Sequence, residues 1–141
     1  MNATIVKFGF PHSLVREFEH WVVLVRPAQV TLGSMVLAAR SEATAYGALP
    51  AEAYAEQGMI VAKIETALGE FCDYERVNYL MLMMVDPHVH FHVIPRYSAP
   101  REWDGLEFAD EGWPGPPALA SAVKLRATQI SKLASELASR F

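Results

Sequence analysis

Three histidines alternate with apolar residues in the middle of the sequence. His88, His90 and His92 are separated by Val89 and Phe91. Because side chains alternate across a β-strand, the imidazoles are predicted to lie on one face and the apolar residues on the other. Adjacent imidazoles repel once protonated and gain little from packing, so the alternation indicates chemistry rather than core formation.

Two kinds of chemistry suit this spacing. Imidazole nitrogens bind zinc, copper or nickel, but a closed zinc site needs a fourth ligand, and none of Cys72, His12 or His20 is obviously placed to supply it. Alternatively, a neutral central imidazole attacks phosphorus or a carbonyl while its neighbours hold the charged oxygens. Arg96 shares the histidine face by parity and is expected to add positive charge, unless Pro95 turns it away.

A sheet must carry these side chains. Short runs of aromatic, aliphatic and β-branched residues predict six strands. They cover residues 4–8, 14–18, 20–26, 35–39, 77–85 and 88–94. The run 77–85 is apolar on both alternations, which predicts a central strand covered on both faces. Pro95 is expected to end the histidine strand.

Two helices complete the predicted fold. Pro50 suits a first helical turn, and apolar residues recur at helical spacing from there to Cys72. A C-terminal helix is predicted over about 118–141, with an apolar stripe that includes Leu133 and Leu137. Residues 98–117 are rich in proline, glycine and acids and are expected to form an irregular loop. These elements predict an α+β fold on an antiparallel sheet, with one main helix and a C-terminal helix.

Length and composition restrict the function. A chain of 141 residues predicts a single domain over 1–141 with a core of about 18–97. The net charge of −4 argues against duplex nucleic acid as a partner. A single cysteine excludes an intramolecular disulfide. The apolar run 79–85 has seven residues, too few for a membrane helix, and no signal peptide is recognised, so we expect a cytoplasmic protein without a membrane partner.

Charge is distributed unevenly near the C-terminus. Five acids and no base lie between Glu102 and Glu111, whereas residues 117–141 carry four bases and one acid. A solvated acidic loop beside a separate basic helix is the ordinary interpretation. Pairing of the two segments, within or between subunits, is the alternative.

The segment 86–97, DPHVHFHVIPRY, resembles the signature of the histidine triad superfamily. Upstream, residues 21–40 are similar to the strand–loop–strand of that family, whose loop ends in glycine before a second apolar strand. The helix predicted over 50–72 stands where the family has its main helix, and Asn78 lies where the next strand opens. The resemblance covers roughly residues 18–97.

The resemblance implies a nucleotide hydrolase or nucleotidyl transferase that cleaves at an α-phosphate. His90 would attack phosphorus and form a nucleotidyl-histidine intermediate, while His88 and His92 would position it and contact phosphate. Family substrates include dinucleoside polyphosphates, nucleoside phosphoramidates and adenylylated acyl groups. The resemblance also implies a homodimer, and the one-sided apolar stripe of the predicted C-terminal helix favours one as well. No tightly bound cofactor or metal is expected, since any Mg²⁺ would arrive with the nucleotide.

Four further positions are candidates for substrate contact. Asn78 would contact ribose, or simply hydrogen-bond at a strand end. Trp113 would stack on a base, or pack a long loop. Asp86 would orient an imidazole, or cap the turn before proline. Arg26 stands where one branch of the family has an asparagine that contacts ribose.

Besides Arg26, the sequence departs from the family pattern before the triad and after the second strand. The family has a glycine-rich polar loop before the triad that holds phosphate oxygens, whereas this chain has Met83-Met84-Val85 followed by Asp86. Where one branch has a basic residue and a histidine after the second strand, this chain has Ser41 and Glu42. The missing polar loop makes a nucleotide-binding protein with weak catalysis an alternative to the hydrolase. A metal-dependent enzyme that uses the three histidines as ligands is a further alternative.

Overall fold

A five-stranded antiparallel sheet forms the centre of the molecule in the computed structural model, which describes residues 1–141. Its strands stand in the order β1, β2, β4, β6, β5. They are β1 (Leu14–Glu17), β2 (Trp21–Val25), β4 (Met35–Ala39), β5 (Arg76–Leu80) and β6 (His90–Arg96). This arrangement confirms the predicted α+β fold, including the pairing of β2 with β4 across a long loop.

Shorter elements surround the sheet. The strand β3 (Ala28–Gln29) pairs with β9 (Val123–Lys124), and β7 (Arg101–Trp103) pairs with β8 (Leu106–Phe108). The predicted irregular loop 98–117 therefore contains a β-hairpin. A positive φ of 75° at Gly105, in the tip between its strands, suits a residue without Cβ.

The main helix α2 (Ala51–Cys72) begins where proline predicts it, with Pro50 as the extended N-cap residue. It covers one face of the sheet together with the C-terminal helix α3 (Ala127–Ala138). The main hydrophobic core lies between these helices and the alternate strand residues that include Val89 and Val93. The prediction that these residues face the core is thus confirmed.

The C-terminal helix starts nine residues later than predicted, since Ala127 rather than Ala118 is its first residue. The preceding residues are taken up by β9 and its connections. Leu133 and Leu137 are buried against the core of their own chain. The apolar stripe is therefore already covered within one protomer.

The strand predicted for residues 4–8 is wrong, because Ala3–Lys7 form a short helix, α1. The side chain of Asn2 caps it by accepting a hydrogen bond from the backbone N–H of Ile5 at 3.0 Å. Ile5 is completely buried in a second apolar cluster, with Val22 and Val36 on the sheet face opposite α2. This cap and anchor hold β-branched residues in a helix that their propensity alone disfavours.

The strand predicted for 77–85 is shorter and lies elsewhere in the sheet. β5 ends at Leu80 and forms an edge of the sheet, not its centre. Beyond it, Met83 has a positive φ of 54°, and Met84 and Val85 are 85% and 81% exposed. The apolar run therefore continues into an exposed loop instead of a covered strand.

The strand β6 passes through Pro95, where the sequence predicted an end. The pairing of β6 with β4 stops at Val93, so Pro95 has a strand neighbour only in β5. A proline is tolerated there because only one side requires a ladder of hydrogen bonds. None of the helices combines the length with the apolar composition that a membrane span requires.

The acidic and basic C-terminal segments meet within the protomer. Asp104, in the hairpin tip, accepts hydrogen bonds from Lys132 at 2.8 Å and from Gln129 at 3.1 Å. The indole of Trp103 donates to Glu136 at 2.9 Å. The alternative of paired segments is thus the one that the structure shows.

Candidate active site

His90 and His92 lie side by side on the sheet face opposite α2, as their spacing predicted. Their cross-strand partners in β4 are Ala38 and Val36, whose modest side chains leave space above the sheet. The ring centroids of the two imidazoles are 5.1 Å apart, and the residues are 2% and 9% exposed. Two histidines are therefore held close together beside a largely apolar cluster.

The protonation of His90 follows from its main-chain partner. Its Nδ1 lies 2.7 Å from the carbonyl oxygen of His88, which only accepts hydrogen bonds. Nδ1 must therefore carry the proton, and Nε2 of the neutral ring keeps its lone pair. A neutral imidazole with a fixed tautomer is the form that acts as a nucleophile.

His92 is tuned by burial and by a neighbouring cation. Arg26 donates from Nε to His92 Nδ1 at 3.4 Å, which places the histidine proton on Nε2. Burial above all, with the charge of Arg26 second, lowers the pKa of His92 from 6.5 to about 4. His92 is therefore neutral near pH 7 and offers an Nε2–H group that can donate a hydrogen bond.

Arg26 has no carboxylate partner. Its NH1 donates to the carbonyl of Ala28 at 2.5 Å, and no ion pair includes it. Burial lowers the pKa of the guanidinium. A half-buried cation without a counter-charge is stabilised by an anion, which gives this part of the site affinity for a group such as phosphate.

The third histidine is placed differently. His88 precedes β6, and its ring contacts Thr4 and Glu42 instead of the other two imidazoles. Its Nδ1 lies 2.9 Å from Thr4 Oγ1, and its Nε2 lies 3.1 Å from Glu42 Oε2. The rings of His90 and His92 therefore line the site, whereas the ring of His88 is held by Thr4 and Glu42 outside it. The main-chain carbonyl of His88 sets the tautomer of His90.

A cavity of about 310 Å³ opens over His90 and His92. It is also lined by Lys7, Phe8, Arg26 and residues 82–86. Asp86 forms an ion pair with Lys7 Nζ at 2.6 Å, which joins α1 to the loop between β5 and β6. Two of the five residues predicted to contact substrate, Arg26 and Asp86, thus line the cavity at the histidines.

The contribution of the N-terminal segment was not foreseen from the sequence. The Phe8 ring lies 5.6 Å from the His90 ring and 5.8 Å from the His92 ring. Thr4 contacts His88, so all three histidines are touched by this segment. Asn2 before an apolar run was a signal for the helix itself. No pattern in the sequence predicts the contacts of Thr4 and Phe8 with histidines more than eighty residues further along the chain.

The remaining predicted residues gather elsewhere on the same sheet face. Asn78, Arg96 and Trp113 line a second cavity of about 460 Å³ with Arg76 and residues 114–116. Arg96 is four residues beyond His92, which is roughly 13 Å along a strand. These three residues are not brought to the histidines.

Arg96 is occupied by partners of its own chain. It forms a two-pronged ion pair with Asp110, through Nε at 2.7 Å and NH2 at 3.1 Å. It also donates to Asn78 Oδ1 at 2.7 Å and to the Gly115 carbonyl at 2.8 Å. The positive charge of Arg96, which was predicted to act at the histidines, is therefore neutralised by Asp110. The role of Arg96 is to fix the loop that carries Trp113.

No set of three or more histidine, cysteine, aspartate or glutamate side chains is grouped so that it could hold a metal ion. His88 is hydrogen-bonded through both ring nitrogens, so the three imidazoles do not converge on a common point. The geometry favours the nucleophile interpretation of the trio over the metal-ligand one.

Comparison with known proteins finds similarity in structure and not in sequence. No model of a protein family matches the chain, and no curated protein matches its sequence. A histidine triad protein from Bradyrhizobium japonicum superposes with a TM-score of 0.75 at 18% identity, over 99% of this chain and 96% of that one. A second, from Sinorhizobium meliloti, gives 0.73 at 17% identity, over 100% and 96%.

A protein with a described activity is also similar. The diadenosine triphosphate hydrolase of Plasmodium falciparum superposes with a TM-score of 0.67 at 13% identity, over 92% of this chain and 76% of that chain. All three superpositions cover at least 92% of this chain. The chain therefore has the histidine triad fold.

Proposed function

We propose that the protein is a nucleotide hydrolase or nucleotidyl transferase in which His90 is the nucleophile. The observation that carries the proposal is the hydrogen bond from His90 Nδ1 to the His88 carbonyl, at 2.7 Å. It leaves Nε2 unprotonated on a ring that lines the cavity. The histidine triad fold of a known diadenosine triphosphate hydrolase supports the same reaction class.

The reaction has two steps. Nε2 of His90 forms a bond to the α-phosphorus, and the bond from phosphorus to the leaving group breaks, with the electron pair leaving on that group. Water, or another acceptor in a transfer reaction, then bonds to phosphorus and gives up one proton to solvent. The bond from phosphorus to Nε2 breaks, its electron pair returns to Nε2, and the neutral ring is regenerated. The nucleotidyl-histidine intermediate divides one difficult substitution into two easier ones.

Cationic and hydrogen-bonding groups surround the reacting position. Arg26 supplies a charge that has no protein counter-ion, and His92 supplies a neutral N–H donor. Lys7 lines the cavity as well and is held in the free protein by Asp86. These groups take the part that a polar loop plays in the family, since residues 82–85 offer only apolar side chains. Positive charge suits the developing charge on phosphate oxygens.

The test is intact mass spectrometry of protein quenched rapidly without acid, because a phosphohistidine-type bond is acid-labile. Wild type and His90→Ala are mixed in parallel with a diadenosine polyphosphate, an adenosine phosphoramidate and an acyl adenylate. We expect an adenylyl adduct or AMP release with wild type only. AMP release by His90→Ala at the wild-type rate would contradict the proposal.

A binding protein with weak catalysis is the second candidate. The apolar loop 82–85 favours it, because the side chains of that loop offer no hydroxyl or amide group to a phosphate oxygen. Tight AMP binding by calorimetry, with neither adduct nor AMP release in the panel above, would support this candidate over the enzyme.

We further propose that the protein acts as a cytoplasmic homodimer and that any Mg²⁺ arrives with the nucleotide. The apolar stripe of α3 is buried within the protomer, so it does not support dimerisation. The edge strand β5 and the exposed side chains of Leu82, Met84 and Val85 beside it do. Light scattering should give about twice the 15.7 kDa of one chain, and the monomer mass would contradict the dimer.

A further inference from the structure

We propose that Thr4 and Glu42 are positioning residues that act through His88 on the tautomer of His90. The inference rests on the proposed role of His90 as the nucleophile. Its basis is a chain of contacts: Thr4 and Glu42 each hold one ring nitrogen of His88, and the carbonyl of His88 holds the Nδ1 proton of His90. Neither residue lines the cavity, so neither is placed to touch substrate.

The hydroxyl of Thr4 engages His88 at two points. Oγ1 lies 2.9 Å from the ring Nδ1 and 3.4 Å from the main-chain nitrogen. Because the main-chain N–H can only donate, Oγ1 accepts from it and has its own proton free for Nδ1. The ring and the main chain of His88 are thus fixed by one oxygen atom.

Glu42 completes the arrangement from the other side. Because the carboxylate can only accept, Nε2 of the His88 ring carries a proton and donates a hydrogen bond to Glu42 Oε2 at 3.1 Å. The segment that carries Glu42 is tied to the start of β6, because the Val89 N–H donates to the Ala43 carbonyl at 3.2 Å. Ring and carboxylate are therefore held in register by the backbone.

The position of the His88 carbonyl determines which ring nitrogen of His90 carries the proton. A carbonyl that moves away from Nδ1 removes the only protein group that favours the Nδ1–H tautomer. The proton would then distribute between Nδ1 and Nε2, and the Nε2–H form cannot attack phosphorus. Loss of the hold on His88 should therefore lower turnover without changing substrate affinity. Glu42 contributes to this hold on His88 by accepting the hydrogen bond from its Nε2.

The experiment combines kinetics with a spectroscopic measurement. Thr4→Val should lower kcat about 10-fold with KM unchanged, a loss comparable with those for other imidazole-orienting partners. Glu42→Ala should lower kcat about 3-fold, since the carboxylate side chain is 79% exposed and such a hydrogen bond contributes less. Thr4→Ser and Glu42→Gln keep a hydroxyl and an acceptor and are the matched controls that should retain activity.

Nitrogen-15 NMR of the imidazoles gives the tautomer directly and needs no turnover. Wild type should show His90 protonated at Nδ1, and Thr4→Val/Glu42→Ala should show a new population protonated at Nε2. In a His88→Leu background, the two substitutions should have no further effect on kcat, because they act through that ring. An unchanged tautomer in the double variant, or a rise in KM with kcat unchanged, would overturn the inference. If wild type has no activity on the panel, the tautomer alone decides.

Discussion

His90→Ala is expected to lower turnover of an adenylylated substrate by roughly four orders of magnitude or more, with the fold intact. Removal of a covalent nucleophile has effects of this size because no alternative group takes its place in the bond to the substrate. His92, the nearest imidazole, has its lone pair at Nδ1 turned to Arg26 and its proton at Nε2. The measurement is single-turnover release of AMP.

The control for this result is His12→Ala, which removes an exposed histidine that does not line the cavity. It should keep wild-type turnover. Circular dichroism of both variants should match wild type, since His90 lies in β6 and its truncation leaves the strand hydrogen bonds in place. A well-folded His90→Ala protein within tenfold of the wild-type rate would remove His90 from the mechanism.

Arg96→Met is expected to lower the free energy of unfolding by about 3–5 kcal/mol, the range found when one partner of a buried ion pair is removed. The side chains of Arg96 and Asp110 are 5% and 1% exposed, so the substitution leaves a carboxylate buried without its counter-charge. It also removes the donors to Asn78 Oδ1 and the Gly115 carbonyl. Urea denaturation followed by circular dichroism measures the change.

Arg76→Met is the matched control, because Arg76 stands directly opposite Arg96 in the strand register and is exposed. It makes no ion pair, and its guanidinium donates only to the carbonyl of Glu75. A change within about 0.5 kcal/mol is expected there. If the two substitutions have equal effects, burial of the ion pair is not what stabilises the loop that carries Trp113.

The sequence was most informative where one physical requirement governed a whole element. Around His90, apolar and histidine side chains alternate, so only the face that carries Val89 and Val93 can pack against the hydrophobic core. The structure has that orientation. Pro50 and the helical spacing behind it set the bounds of α2 to within one residue. In the run 77–85, by contrast, hydrophobicity did not distinguish a covered strand from an exposed loop, because only tertiary neighbours decide which apolar residues are covered.

The site was predicted less completely than the sheet. His90 and His92 were assigned to one face by parity alone, and Arg26 was selected from the resemblance. Thr4, Lys7 and Phe8 come from the far end of the chain and meet the histidines through folding, so no local pattern encodes their contacts. Arg96 has the predicted parity but a different role, since its charge is matched by Asp110 from a distant loop.

The brevity of α1 has a consequence for how the protein responds to warming. A helix of five residues is not stable by itself in water, and this one depends on the burial of Ile5 and on Asn2, whose amide donates to the carbonyls of Ala39 and Ser41. Its release would leave every strand pairing of the sheet intact but would expose both imidazoles at the site. Such partial openings need less free energy than global unfolding. We therefore expect activity to be lost on warming at a lower temperature than the one at which the sheet and its core melt.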